Sequence, residues 1–260
     1  MKFKIYPTNI NYFLKLTGDN NKIHYEDKYA QEEGFEKKIA PGMFTAALVL
    51  CNIHNHLVLE NYNCIKIKWK KPVYPEENLI AFSFVDEDSI EIRVIKECKT
   101  EAINIFCYNK ESTPKIPFTD YKEYNKIVGK EEIENFSHII NGNPKKEYSK
   151  NNKNFISDIF ISCLVPPSLL MWSAGKGLHV LQEINIHEKA NIQNKSKKIT
   201  VKTYYQGSEK GNFHKGVYVC SSENKVLQTG KVICYLENKI NLSKTDKIKT
   251  NINKSIIDLL

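Results

Sequence analysis

Arginine is almost absent from this chain: Arg93 is the only one in 260 residues, and lysine supplies nearly all of the formal net charge of +8. With no arginine-rich stripe, no zinc-finger spacing and no row of aromatics to stack bases, nucleic acid is not an expected partner. Lysine accompanied by abundant Asn and Ile reads as a solvated, compositionally biased surface, although it would still attract a phosphate-bearing carrier. The seven cysteines are odd in number, scattered and never arranged as C-x-x-C, so a disulfide framework is not expected and reduced, mostly buried thiols in a cytosol are. No long apolar run is present: the longest, near Met43 to Cys51, is about half of the ~20 residues a membrane span needs. The opening MKFKIYPTNINYF lacks the continuous apolar segment of a signal peptide. A cytoplasmic protein without membrane contact is expected. Its hydrophobic content of 41% suffices for a real core in one large domain or two ordinary ones.

What is present repeats. Helical patterning runs from Asn9 to about Leu57, broken near Gly18 to Asn21 and again from Gly34 to Pro41, with Ala46, Ala47, Leu50, Ile53 and Leu57 spaced as one buried stripe. Strands then follow in meander order. CIKIKW from Cys64 alternates Ile65, Ile67 and Trp69 against Lys66 and Lys68, and LIAFSFV, SIEIRVI and EAINIFCY continue, with DEDS and CKTE as turns. After a connection, helical EEIENFSHIIN, the apolar ISCLVPPSLLMWSAGKG and the strands KKITVKTYY, KGVYVCS and KVLQTGKVICYLE retrace that order. The expected organisation is an N-terminal unit over 1–112, a linker over 113–130, a C-terminal unit over 131–238 and a polar tail over 239–260. A sheet that buries a nearly all-apolar helix is an α+β arrangement, here a tandem, or double, hot-dog with an antiparallel sheet wrapped around a central helix in each half.

One stretch carries chemistry. GDNNKIHYEDKYAQEEGFEKKIAPGMFTAAL resembles the signature of MaoC-like (R)-specific enoyl-CoA hydratases and 3-hydroxyacyl-thioester dehydratases, with Asp19, Asn21, His24, Tyr29, Ala30, Gly34, Phe35, Ile39, Gly42 and Met43 in register. KPVYPEENL from Lys71 looks like that family's PVYPGD segment. The match is dense from Leu16 to Leu48, adequate to about Leu79 and only architectural beyond. It departs from the family at Lys22, where proline is preferred, at Pro41, where histidine is common, and at Glu76-Glu77, which stand for Gly-Asp.

The resemblance implies a hydro-lyase that interconverts 2-enoyl and 3-hydroxyacyl thioesters of CoA or acyl carrier protein, with Asp19 and His24 as the acid–base pair. At neutral pH a carboxylate accepts a proton while a neutral imidazole shares or returns one, and two groups on one loop act on one face of the substrate. Gly42 opens an apolar helix with no Cβ to block approach, so its amide suits a thioester oxygen on which charge builds. Asn21 would shape the loop and orient the pair, and Met43 borders the substrate. No metal or redox cofactor is implied. HNH at His54 to His56 reads as core and connection, since His54 shares the helix face of Leu50 and Leu57.

In the second half neither alignment keeps an acid–base pair: Asn141 and Lys146 stand for Asp19 and His24 in one register, Asn143 and Tyr148 in the other. That half reads as a hot-dog without catalysis, making an internal pseudo-dimer that could pair again. Pro166-Pro167 should interrupt its central helix, and LVPPSLLMW reads either as kinked core or as the wall of an acyl tunnel. A non-catalytic acyl-thioester-binding or assembly subunit is the alternative function, and a thioesterase the third.

Overall fold

The computed structural model describes residues 1–111, 120–141, 152–173, 177–192, 195–208 and 211–236. The first half opens with a two-residue strand, β1 (Lys2–Phe3), and three helices, α1 (Pro7–Thr17), α2 (Asp27–Glu32) and α3 (Gly42–His54). Strands β2 (Cys64–Trp69), β3 (Leu79–Val85), β4 (Ser89–Lys96) and β5 (Glu101–Tyr108) complete it. The second half runs β6 (Tyr121–Val128), α4 (Lys130–Asn141), α5 (Asn152–Ser162), α6 (Val165–Leu170), β7 (Leu178–Ile186), β8 (Lys197–Ser208), β9 (Phe213–Ser222) and β10 (Lys225–Tyr235).

These strands form one antiparallel sheet in the order β1-β3-β4-β5-β2-β7-β10-β9-β8-β6. The order reads the same from either end once β2 is matched with β7, so the expected tandem hot-dog is present as two halves joined edge to edge. The join is the pairing of β2 with β7, from Cys64↔Asn185 to Lys68↔Leu181. Ile65 and Ile67 face inward there beside Ile184 and Gln182, whereas Lys66 lies opposite Glu183 on the outer face.

α3 is the first half's central helix, and of its residues only Gly42 and Asn52 are not buried. Asn52 remains useful because its Nδ2 donates to Leu48 O at 2.7 Å and Ile140 O at 2.8 Å, tying α3 to α4. Phe13 packs on Phe44 with ring centres 5.0 Å apart and Phe136 on Phe160 at 4.9 Å, so a chain of aromatics runs from α1 and α3 into α4 and α5. His54 is part of that core, accepting the Leu59 amide on Nδ1 and stacking on Phe155. Among the described residues the cysteines are free thiols, and Cys51, Cys64, Cys107, Cys163 and Cys220 are buried. No described helix is long and apolar enough to cross a membrane.

Two features depart from the sequence reading. The stretch assigned to a linker at 113–130 contains β6, which pairs with β8 from Tyr121↔Tyr204 to Val128↔Lys197. Its alternation is masked because an edge strand needs few apolar residues, and YKEYNKIV carries mostly Lys, Glu and Asn. β7 was not foreseen either, yet it forms the join between halves. The residues 113–119, 142–151, including Asn143, Lys146 and Tyr148, and the tail 239–260 lie outside the described residues. The interruption at Pro166-Pro167 is real: α5 stops at Ser162, and α6 restarts at Val165 with proline in its first turn, where a missing N–H is tolerated.

Gly230 of β10 leaves no room for a side chain against β7, because a Cβ there would fall on the Glu183 carbonyl and within 2.7 Å of the Tyr218 ring. Gly230→Ala should therefore lower unfolding free energy by about 1–3 kcal/mol. Urea unfolding followed by circular dichroism measures it, and an unchanged midpoint would contradict the close approach.

Candidate active site

The site begins at the end of α1. Gly18 ends that helix at φ 76, a left-handed conformation that suits glycine, and its N–H reaches Leu14 O at 2.8 Å. Thr17 supports the exit: its hydroxyl donates to Phe13 O and accepts the Asp19 amide, while Tyr124 of β6 donates to Thr17 O at 2.7 Å. The chain then turns back through Asp19. One carboxylate oxygen, Oδ1, accepts the Asn21 amide at 3.1 Å, and the Asn21 side-chain oxygen caps the following 3-10 turn by accepting the Ile23 amide at 3.3 Å. Asp19 is thus a turn former through Oδ1 and leaves Oδ2 for another purpose.

That oxygen faces His24. Asp19 Oδ2 and His24 Nε2 are 3.8 Å apart, beyond direct hydrogen-bond range, with the two residues only 5% and 8% exposed. The other ring nitrogen, Nδ1, lies 3.0 Å from Ile39 O. A carbonyl can only accept, so Nδ1 carries the proton in the neutral ring and Nε2 presents a lone pair. Burial holds the His24 pKa below its ordinary 6.5, outweighing the Asp19 carboxylate and the Ile39 carbonyl, which raise it. The neutral imidazole is the working form.

The expected site residues converge. Asp19, Asn21, His24, Gly42 and Met43 all line one cavity of about 460 Å³. Two of the departures from the resembled pattern lie outside the cavity lining. Lys22 pairs with Glu26 at 3.3 Å on the exposed side of the loop. Glu76 takes φ 66, the conformation a glycine would adopt more easily, while Glu77 accepts the Tyr74 amide and pairs with Lys96 at 3.0 Å. Pro41 caps α3, its carbonyl accepting the Thr45 amide.

Sequence reasoning did not assign two contributions to the cavity. From β2, Trp69 closes over the start of α3, with Nε1 2.8 Å from where a Gly42 Cβ would stand; Gly42 is needed for closeness rather than for its backbone angles. From the second half come His179 and Gly177. The Asn21 Nδ2 donates to Gly177 O at 3.0 Å, and His179 packs on Trp69 with ring centres 4.8 Å apart. Burial presses the His179 pKa down to about 3, so this ring is neutral as well. Only recognition of β7 as a strand paired with β2 could have pointed to them. No group of three potential metal ligands occurs among the described residues.

Comparisons with known proteins bear on the same region. A family profile described as MaoC like domain matches residues 2–104. A tomato (Solanum lycopersicum) protein named 3-hydroxyacyl-acyl-carrier-protein dehydratase FERN, mitochondrial, is 28% identical over 99 residues, which is 38% of this chain and 58% of that protein. The chain therefore spans under two thirds of that curated relative. A MaoC domain protein from Chloroflexus aurantiacus superposes with a TM-score of 0.67 at 9% identity, over 92% of this chain and 94% of its own. A Mycobacterium tuberculosis protein with a double hotdog fold gives 0.67 at 6% identity, over 90% and 93%. At such identities the likeness is one of fold, and a structure named as an oleoyl thioesterase shares it.

Histidine ring titration by NMR should show His24 neutral at pH 7 with a midpoint below 6.5, and His179 neutral until pH approaches about 3 or the fold is lost. In Asp19→Asn the His24 midpoint should fall further, because the charge that raises it is gone. An upward movement would contradict the electrostatic reading of the pair.

Proposed function

We propose, on the match of residues 2–104 to the MaoC like domain, that the protein is a hydro-lyase interconverting 2-enoyl and 3-hydroxyacyl thioesters. The observation that carries this reading is the facing of Asp19 Oδ2 and His24 Nε2 across 3.8 Å, buried at a cavity wall. Both atoms are acceptors in the neutral-histidine form, and a water that donates one proton to each satisfies both. Its remaining lone pairs then point toward the substrate.

In hydration, that oxygen bonds to C3 of the enoyl chain as one O–H bond breaks, and the proton passes to the Asp19–His24 pair. The C2–C3 π electrons move toward the thioester, giving an enolate whose oxygen is held by the amide of Gly42 at the head of α3. The pair then returns a proton to C2, so one water has been added and the side chains end as they began. Both transfers come from one loop, which favours addition on a single face. Dehydration is the reverse. If an imidazolium forms, Asp19 stabilises it without leaving its own hydrogen bond to the Asn21 amide.

Apolar residues of the cavity lining suit an acyl chain. Pro166, Leu169 and Leu170, at and after the break between α5 and α6, border the cavity beside Met43. Lys70 and Lys71 also border it and supply positive potential for the phosphate of CoA or of a carrier-protein arm. The second hot-dog acts here as a partner that completes the cavity, and the free thiols suit a reducing, cytoplasmic setting.

Loss of enoyl-thioester absorbance on mixing with crotonyl-CoA, a longer 2-enoyl-CoA and the corresponding carrier-protein thioesters tests the reading. Asp19→Asn should lose at least about a hundredfold in turnover with the fold intact, and His24→Ala should be similarly impaired. Wild-type rates in Asp19→Asn would reject the assignment. Thioester binding without turnover would favour an acyl-binding subunit, and thiol release with the double bond untouched a thioesterase.

A further inference from the structure

The indole N–H of Trp69 is an anomaly that the acid–base pair does not explain. Trp69 is 7% exposed, its Nε1 has no hydrogen-bond partner, and it borders the cavity. A buried donor left unmade costs about 1–3 kcal/mol. Its position is specific. Nε1 stands 2.8 Å from the site of an absent Gly42 Cβ, and the amides of the first turn of α3 have no acceptor within their own helix. Two donors of different origin, one from strand and one from helix, therefore lie close together among the residues that line the cavity.

We propose that Trp69 Nε1–H and the Gly42 amide together hold the thioester carbonyl oxygen, making Trp69 a catalytic residue that touches substrate. This inference rests on the hydro-lyase reading for its chemistry. His179 has the supporting role. Its ring packs on the indole from the second half, and neither of its nitrogens makes a well-formed hydrogen bond. Held neutral with its pKa near 3, it fixes the indole plane without placing a positive charge beside the carbonyl. Charge that develops on that oxygen then draws only on the two N–H dipoles, which are already oriented. Asp19 and His24 line the same cavity, so a substrate whose carbonyl is seated there shares that space with the acid–base pair.

Trp69→Phe removes the N–H and keeps an aromatic ring, smaller than the indole, against His179. It should lower kcat roughly a hundredfold, with a much smaller change in KM, because the donor strengthens most in the transition state. A structural role would not move the second readout, the infrared carbonyl stretch of heavy-carbon-labelled butyryl-CoA at saturation. Wild type and Asp19→Asn should both shift this saturated thioester to lower frequency, and Trp69→Phe should return it part of the way. A wild-type carbonyl that stays at its solution frequency, a shift unaltered in Trp69→Phe, or wild-type kcat in that variant overturns the proposal. A Trp69-dependent shift in a protein that hydrates no thioester keeps the donor pair and rejects the hydro-lyase reading instead.

Discussion

The pairing of β2 with β7 is the contact on which the rest depends. An isolated hot-dog sheet would end at β2 with a row of unpaired backbone groups, a surface open to unwanted association. Here that edge meets the equivalent strand of the second half, and the ladder from Cys64↔Asn185 to Lys68↔Leu181 makes one continuous sheet. The same register brings His179 beside Trp69 and Gly177 beside Asn21. A join that satisfies the backbone of both halves thereby finishes the wall of the cavity.

Within the cavity, polar atoms are held by backbone partners that leave their other ends unengaged. The Asn21 amide occupies Oδ1 of Asp19, and the Ile39 carbonyl occupies Nδ1 of His24. Each side chain is oriented by a group that cannot move independently of the chain. The atoms left over, Oδ2 and Nε2, face one another where burial keeps the imidazole neutral. Preorganisation of this kind needs no rearrangement when substrate arrives.

The two halves share topology but differ in their central helices. The central helix of the first is unbroken and nearly all apolar, whereas that of the second is studded with polar groups and split before Pro166. Asp158 accepts the Ala190 amide, and Ser162 and Gln228 bond each other and the Asp158 carbonyl. Burial raises the Asp158 carboxyl to about 6 despite Lys189 nearby. These contacts fasten α5 to the sheet, and beyond the break Pro166, Leu169 and Leu170 line the same cavity as Met43.

The sequence by itself determined what depends on short range. The period of two in CIKIKW and its successors, the apolar spacing of α3, the turn at Gly18 and the dense run from Asp19 to Met43 each express local preferences that survive in any context. Hence the helices, the four meander strands of the first half and the residues grouped around the cavity were legible. What only tertiary structure decided involves partners far away along the chain. β6 is a strand because β8 lies beside it, although its own residues favour solvent. β7 was obscured because Gln182, Glu183 and Asn185 are buried by neighbours rather than by their own hydrophobicity. The meeting of Trp69, Gly42 and His179 needs three elements to converge. Spacing along one chain carries no record of such a meeting, since it is set by the register in which distant strands pair.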